Sequence, residues 1–360
     1  MIKNKHIAVI CDYKLLEERI GGMDYFFWAF NKACSGKGIK IDWFFPNISN
    51  HGDYDRFHII PSGNKSLEAT FTDYILSTNI QYSHIVTHFI ELCTSFFSAI
   101  KKHQKAKIIA VDHNPRPLHG YSFKKRLKKM VKGILYSKHT DQFVGVSDYT
   151  SRAILNDFGS FLRPKLMTIY NGVLIDDIIP KTTPRSVVNP KFLVVSHLRE
   201  SKGIHDLIEA VYLLPDNLKV DLKIDVYGDG PYRKQLYQLV ENYKLETNFN
   251  FKGSHSDVNQ LYQYYDYMVQ PTYMECFSLS ILESLAANVP VITTPVGGNL
   301  EVVKEGENGF VFKTKNIKQL TVLLENVING NKYIKGSTRD LIKTQFSIED
   351  MVDNYLRLLD

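Results

Sequence analysis

The sequence is poor in cysteine, and the little it has is not arranged to carry structure. Among 360 residues, Cys11, Cys34, Cys93 and Cys276 form no CxxC pair and stand at no cysteine–histidine spacing suited to zinc. This excludes a disulfide framework and leaves them as reduced thiols. Long apolar runs are missing too: no segment approaches the ~18 residues that a membrane span requires. The start, MIKNKHIAVICDY, passes from a short polar lead straight into a strand-like run, without the apolar core and cleavage site of a signal peptide. A cytoplasmic chain is therefore expected, at most peripheral on the inner face of the cytoplasmic membrane. Tracts of Gly, Pro or Ser that mark disorder are absent, and 44% apolar with 23% charged residues is a globular balance, so the whole chain is expected to fold. A net charge of +6 suits phosphate-bearing ligands or an anionic surface but is too weak to indicate nucleic acid. There is no HExxH and no P-loop, and the one D-x-D, Asp53-Tyr54-Asp55, lies in a polar stretch rather than behind an apolar strand. Neither a metal nor a cofactor is expected.

What the sequence does contain is an alternation. Short apolar runs at residues 6–10, 41–45, 84–87, 108–111 and 142–146 are separated by longer segments of helical period, the pattern of parallel βαβ units. A second series follows at 192–195, 222–226, 249–251, 267–269 and 289–292. Between the series, residues 171–190 are polar and contain prolines, and read as a linker. Residues 317–360 are mostly helical in pattern. A chain of this length exceeds one ordinary core. The expectation is an α/β protein of two Rossmann-like, doubly wound parallel-sheet domains, residues 1–174 and 175–344, with residues 345–360 forming a helix that crosses back to the first. Ligands of such sheets lie beyond the carboxyl ends of the strands. Two such sheets facing each other predict a deep cleft.

The strongest motif is QPTYMECFSLSILESLAANVPVITTPVGGNLEVV, in which Glu275 and Glu283 stand eight positions apart across a loop that enters a helix. The first free N–H groups of that helix, expected near Phe277 to Leu279, suit a diphosphate. Glu283, about two turns along the same side, is placed to accept hydrogen bonds from ribose hydroxyls.

This segment resembles the E-x7-E region of the family 4 glycosyltransferases, which share the GT-B fold. The resemblance implies that Glu275 contacts the donor sugar and Glu283 the ribose; Gly297, Gly298 and Glu301 also match. The family usually writes the middle E-G-F-G-L, where this chain has Glu275-Cys276-Phe277-Ser278-Leu279, with Ser278 able to offer its hydroxyl in place of a close backbone approach. In VVSHLRESKG the resemblance places Lys202 and Gly203 at a K-G pair, the lysine neutralising the diphosphate leaving group. His197 stands where the family has Arg, with Arg199 two residues on as another source of a guanidinium. Gly228 and Gly230 of YGDGP match a turn close to the nucleotide base.

In the first half, Gly21-Gly22 follows the first strand, where the family uses a glycine pair to admit the donor's phosphates. His88 and His113 follow strand-like runs. The resemblance assigns a hydrogen bond to the transferred sugar near the reacting carbon, carried here to His113 first.

FKKRLKKMVKGILYSK, residues 123–138, holds seven basic residues interleaved with apolar ones at helical period. Two readings stand: contact with an anionic membrane surface, suited to a lipid-linked acceptor, or an apolar stripe packed on its own sheet with the lysines in water.

The resemblance thus implies a retaining, metal-independent glycosyltransferase moving a sugar from a nucleotide sugar, a UDP-sugar first, to a glycan or lipid-linked glycan in bacterial envelope synthesis such as lipopolysaccharide, O-antigen or capsule. The leaving diphosphate takes the acceptor proton by a front-side route, or a short-lived ion pair forms. Two rivals stand beside it: a nucleotide-sugar 2-epimerase or sugar phosphorylase of the same fold, and a non-catalytic nucleotide-sugar-binding scaffold.

Overall fold

The computed structural model describes residues 5–255 and 257–360; the polar lead, residues 1–4, and Ser256 lie outside them. The chain divides into two compact units, Met1–Asn171 with Ile348–Asp360, and Gly172–Ser347.

The first unit is built on seven parallel strands: β1 (His6–Cys11), β2 (Lys40–Phe45), β3 (His58–Pro61), β4 (His84–His88), β5 (Lys107–Asp112), β6 (Gln142–Gly145) and β7 (Leu166–Thr168). Their order is β3-β2-β1-β4-β5-β6-β7. The second unit has six parallel strands, β8 (Phe192–Val195), β9 (Ile224–Tyr227), β10 (Phe249–Gly253), β11 (Tyr267–Gln270), β12 (Val291–Thr293) and β13 (Gly309–Val311), in the order β10-β9-β8-β11-β12-β13. Both units are thus doubly wound Rossmann-like α/β domains, as the alternation predicts. Parallel sheets are covered by helices on both faces, so their central strands are apolar throughout rather than alternating. In β1 and β5 five of six residues are buried, and in β4 all five are.

The three strands absent from the sequence reading, β3, β7 and β13, are all sheet edges. They are three or four residues long, and β3 ends on Pro61, which an edge tolerates because one side of the strand needs no ladder donor. A short, half-exposed strand leaves too few apolar residues to register as a run.

One face of the first sheet carries an aromatic core. Helix Gly22–Gly36 lays Phe26, Phe27 and Phe30 on it, with Phe27 edge-on to Trp43 at 5.5 Å. Burying each of these phenylalanines contributes about 2 kcal/mol. The last helix, Ile348–Leu358, belongs to this unit and inserts Tyr355 4.9 Å from Phe26 and 5.8 Å from His88.

Residues 172–190 correct the linker reading, for they are strapped onto the second unit. The Lys181 amide donates to Ala287 O at 2.8 Å, and its ammonium pairs with Asp266 at 3.3 Å. Asp266 accepts the amides of Ser186 and Lys191 at 2.9 and 2.8 Å. The polar residues that suggested solvent instead satisfy one buried carboxylate.

Candidate functional site

In each sheet the winding reverses at one place, between β1 and β4 in the first and between β8 and β11 in the second. The carboxyl ends of the strands flanking such a reversal leave a crevice, because their loops turn away in opposite directions. The predicted site residues fall at these two places.

In the second unit, the loop after β8 carries His197, Arg199 and Lys202, and the loop after β11 carries Glu275 to Ser278. The loops are stitched together: the Tyr273 amide donates to Ser201 O at 2.8 Å, and the Lys202 ammonium donates to Glu275 Oε1. Both side chains are largely enclosed, with 21% and 12% of their surface exposed. A pair so shielded is held more firmly than a surface ion pair. Of the two candidates for a guanidinium or its substitute, His197 is half-buried and Arg199 is exposed.

The helix after Glu275 runs Leu279–Ala286, so its first amides begin at Leu279 rather than Phe277. Ser278 is its N-cap: Oγ accepts the Ile281 amide and also the Gln270 amide nitrogen at 2.8 Å. The Ser278 hydroxyl oxygen thus caps the helix and joins a buried network with Gln270 and Ser280. The side chains of Cys276 and Phe277 are buried, Phe277 against Phe346 at 5.4 Å. The half-buried Leu279 opens the first turn, where it and Ser280 have amides that lack an intrahelical acceptor. Glu283 accepts from the buried Tyr262 hydroxyl at 2.9 Å through Oε2, while Oε1 has no protein partner among the described residues. Burial pushes its carboxyl above the ordinary range, and the Tyr262 bond pulls back.

The glycines matter mainly for loop packing. Gly297 has φ +60°, and a Cβ there would lie 2.2 Å from Glu275 O, so this glycine lets its loop seat against the backbone of Glu275. Gly228 has φ +122°, and its Cβ would lie 1.9 Å from Ser196 O; one at Gly230 would lie 2.4 Å from Leu198 O. Both glycines let their turn seat against the loop after β8.

In the first unit, Gly21 caps helix Gly22–Gly36. Its amide is bonded by Asp24 Oδ2 at 2.9 Å, and Asp24 also accepts from Tyr13 and Tyr54 at 2.8 and 2.7 Å. A Cβ at Gly21 would meet nothing within 4 Å, so what Gly21 offers is open space beside the first turn, where the amides of Gly22 and Met23 have no intrahelical acceptor. His88 ends β4, opposite Cys11 at the end of β1. His113 follows β5; its Nε2 lies 2.9 Å from His88 Nδ1, and its ring stacks on Phe89 at 4.3 Å. Burial lowers both imidazoles, His113 to about 4 and His88 well below its ordinary value, so both are neutral at pH 7 and one nitrogen of the pair donates to the other.

Sequence reading missed Asp24, Gln270 and Tyr262. Asp24 had a signal, since a carboxylate three residues after a helix cap is the capping-box spacing. Tyr262 and Gln270 had none: each is 21 or fewer residues from its partner but on a different element.

Residues 177–343, all in the second unit, match the family model described as "Glycosyl transferases group 1". The chain is 26% identical over 219 residues to N-acetyl-alpha-D-glucosaminyl L-malate synthase of Bacillus anthracis, covering 57% of this chain and 56% of that protein. It is 28% identical over 173 residues to the lipopolysaccharide core biosynthesis glycosyltransferase LpsE of Rhizobium meliloti, covering 47% and 49%. The chain thus spans about half the length of these curated relatives. Its structure resembles the crystal structure of Anabaena HepE in complex with UDP, with a TM-score of 0.75, 17% identity and 99% of each chain covered. That likeness shows the fold, two Rossmann-like domains of the GT-B class.

Proposed function

We propose that the protein is a retaining, metal-independent glycosyltransferase that takes a sugar from a nucleotide sugar, with UDP-sugars first, and passes it to a glycan or lipid-linked glycan of the bacterial envelope. The observation that carries this reading is the Lys202–Glu275 pair at the reversal of the second sheet, beside the first turn of helix Leu279–Ala286. A departing diphosphate builds negative charge as the glycosidic bond breaks. A fixed ammonium and first-turn amides stabilise such charge without reorganising, which is where most of an enzyme's rate advantage arises. Glu275 holds Lys202 in position and is the group we assign to the donor sugar's hydroxyls. Glu283, with Oε1 unused, is assigned to the ribose. In the first unit, neutral His113 is assigned the hydrogen bond to the transferred sugar.

The group 1 glycosyltransferase match in the second unit supports a sugar-transfer reaction, and the HepE structure with UDP favours a uridine donor. The α-configuration named in the Bacillus anthracis relative is also that of the common UDP-hexoses, which favours retention. LpsE favours an envelope glycan as acceptor. In this mechanism no side chain serves as nucleophile, and the glutamates are not a hydrolase's paired carboxylates.

The test is transfer by the purified protein from a panel of UDP-sugars to lipid-linked and free saccharides in EDTA, with the anomeric configuration of the product read by NMR. An α-linked product formed in EDTA is expected. A β-linked product, or turnover only with added metal, contradicts the mechanism. Loss of the nucleotide with no acceptor consumed would favour an epimerase or phosphorylase.

A further inference from the structure

Helix Phe123–Tyr136 is turned opposite to the usual arrangement of a surface helix. Apart from Tyr136 at its end, the side that packs on its own unit is polar and small. Gly133 seats against helix Asp148–Phe158, where a Cβ would lie 2.0 Å from Phe158 O, and Lys129 reaches Asp157 at 2.9 Å. The apolar residues face outward: Phe123 is 79% exposed, Ile134 60%, and Leu127, Met130, Val131 and Leu135 between 44% and 52%. At 100° per residue these six cover an arc of about 140°. Lys128 lies just beyond one margin of that arc and Arg126 beyond the other, while Lys124 falls just inside it, between Val131 and Leu135. The helix contains no acidic residue. Lys124 and Lys128 have no carboxylate within 4 Å among the described residues, and with Lys125, Lys129, Lys132 and Glu91 they line a cavity of about 560 Å³.

We infer that this helix docks the protein on an anionic phospholipid surface, with the apolar stripe entering the acyl boundary and the flanking cations lying among lipid phosphates. A contiguous exposed apolar stripe calls for a covering surface. The cations on both margins give that surface a negative charge, and the flat two-sided pattern is that of a helix lying in a membrane interface. A second copy of the chain fits poorly, since stripe-to-stripe contact would bring Lys124, Arg126 and Lys128 of both copies together. At 14 residues the helix is about 21 Å long, and no helix among the described residues is long and apolar enough to cross a membrane. The docking is therefore parallel to the surface.

The test uses sucrose-loaded vesicles of phosphatidylcholine alone and with 30 mol% phosphatidylglycerol, at about 0.1 M salt where surface charge still acts over ~10 Å. The wild-type chain is expected to sediment with the anionic vesicles and not with the neutral ones. Lys124→Glu/Lys128→Glu should weaken partitioning by at least about 25-fold, near fivefold for each lysine lost. Phe123→Ser/Ile134→Ser should abolish it while circular dichroism and turnover of a soluble acceptor stay unchanged. The four native thiols are buried, so an environment-sensitive dye on Ile134→Cys reports this position alone, and its emission should shift to the blue with anionic vesicles. Equal sedimentation with both vesicle types, undiminished binding by either double variant, or a dye that stays water-exposed when bound would overturn the inference. So would a wild-type dimer in light scattering that Phe123→Ser/Ile134→Ser dissociates, without vesicle binding.

Discussion

The two sheets share a strand order around their reversal points, yet the ends of their central strands carry opposite chemistry. Beyond β8 and β11 stands a charged pair, Lys202 and Glu275, locked by loop-to-loop hydrogen bonds and by glycines that let backbones touch. Beyond β4 and β5 stand two neutral histidines, with open space at Gly21. The same topology thus presents an ammonium–carboxylate pair at one place and two neutral imidazoles at the other. The first suits a diphosphate, the second a sugar. Topology fixes where a ligand sits; side chains at the strand ends decide what it is.

The sharpest way to break this comparison is to remove the charge. Lys202→Ala should lower turnover about 100- to 1000-fold, the usual loss when one fixed group facing developing negative charge is deleted. His113→Gln, which keeps a neutral hydrogen-bonding group, should cost far less in the same assay.

Acid should separate the units next. His84 and His113 titrate near 4 rather than 6.5 because burial disfavours the imidazolium, and burial lowers His88 as well. The unfolded chain then binds more protons between pH 6.5 and about 4. The stability that His84 and His113 confer is full above 6.5 and is lost as pH falls through that window, up to about 3 kcal/mol for each of these two. Hydrogen exchange should show β1, β4 and β5 losing protection before β8 and β11 as pH drops from 7 to 4.5. Simultaneous loss would mean that the histidines are not set apart by burial.

Two alanines sharpen the contrast in backbone packing. Gly297→Ala should cost about 2 kcal/mol or more in urea unfolding, from a strained φ and a collision with Glu275 O, and should displace that glutamate. Gly21→Ala, with open space and an extended φ, should stay within about 0.5 kcal/mol. Between the two lies Ser278→Ala, which removes the cap of helix Leu279–Ala286 and should cost about 1 kcal/mol.

The same contrast explains what could be read from the sequence. The second unit's signals are each short in sequence: Lys202 and Gly203 are adjacent, Glu275 and Glu283 stand eight positions apart, and Gly297 and Gly298 are neighbours. Their spacing survives as a motif, though the packing of the glycines against neighbouring loops appeared only in three dimensions. The first unit's site gathers Tyr13, Asp24 and Tyr54, and His88 with His113, across intervals with no period. Interior strands were legible because both faces are buried, and of the four edge strands only β10 was. The direction in which helix Phe123–Tyr136 faces was hidden as well, because periodicity reveals an apolar stripe but not which side the neighbouring helix will take. The tight approach at Gly133 decides that side.

The central claim is that the nucleotide diphosphate belongs to the second unit's strand ends. Calorimetric titration of UDP in EDTA into the wild-type chain, Lys202→Met and His113→Gln tests it directly. The account predicts that Lys202→Met weakens UDP about 10- to 100-fold, the worth of a charged hydrogen bond, while His113→Gln binds as the wild type does. Unchanged affinity in Lys202→Met with a large loss in His113→Gln would contradict it.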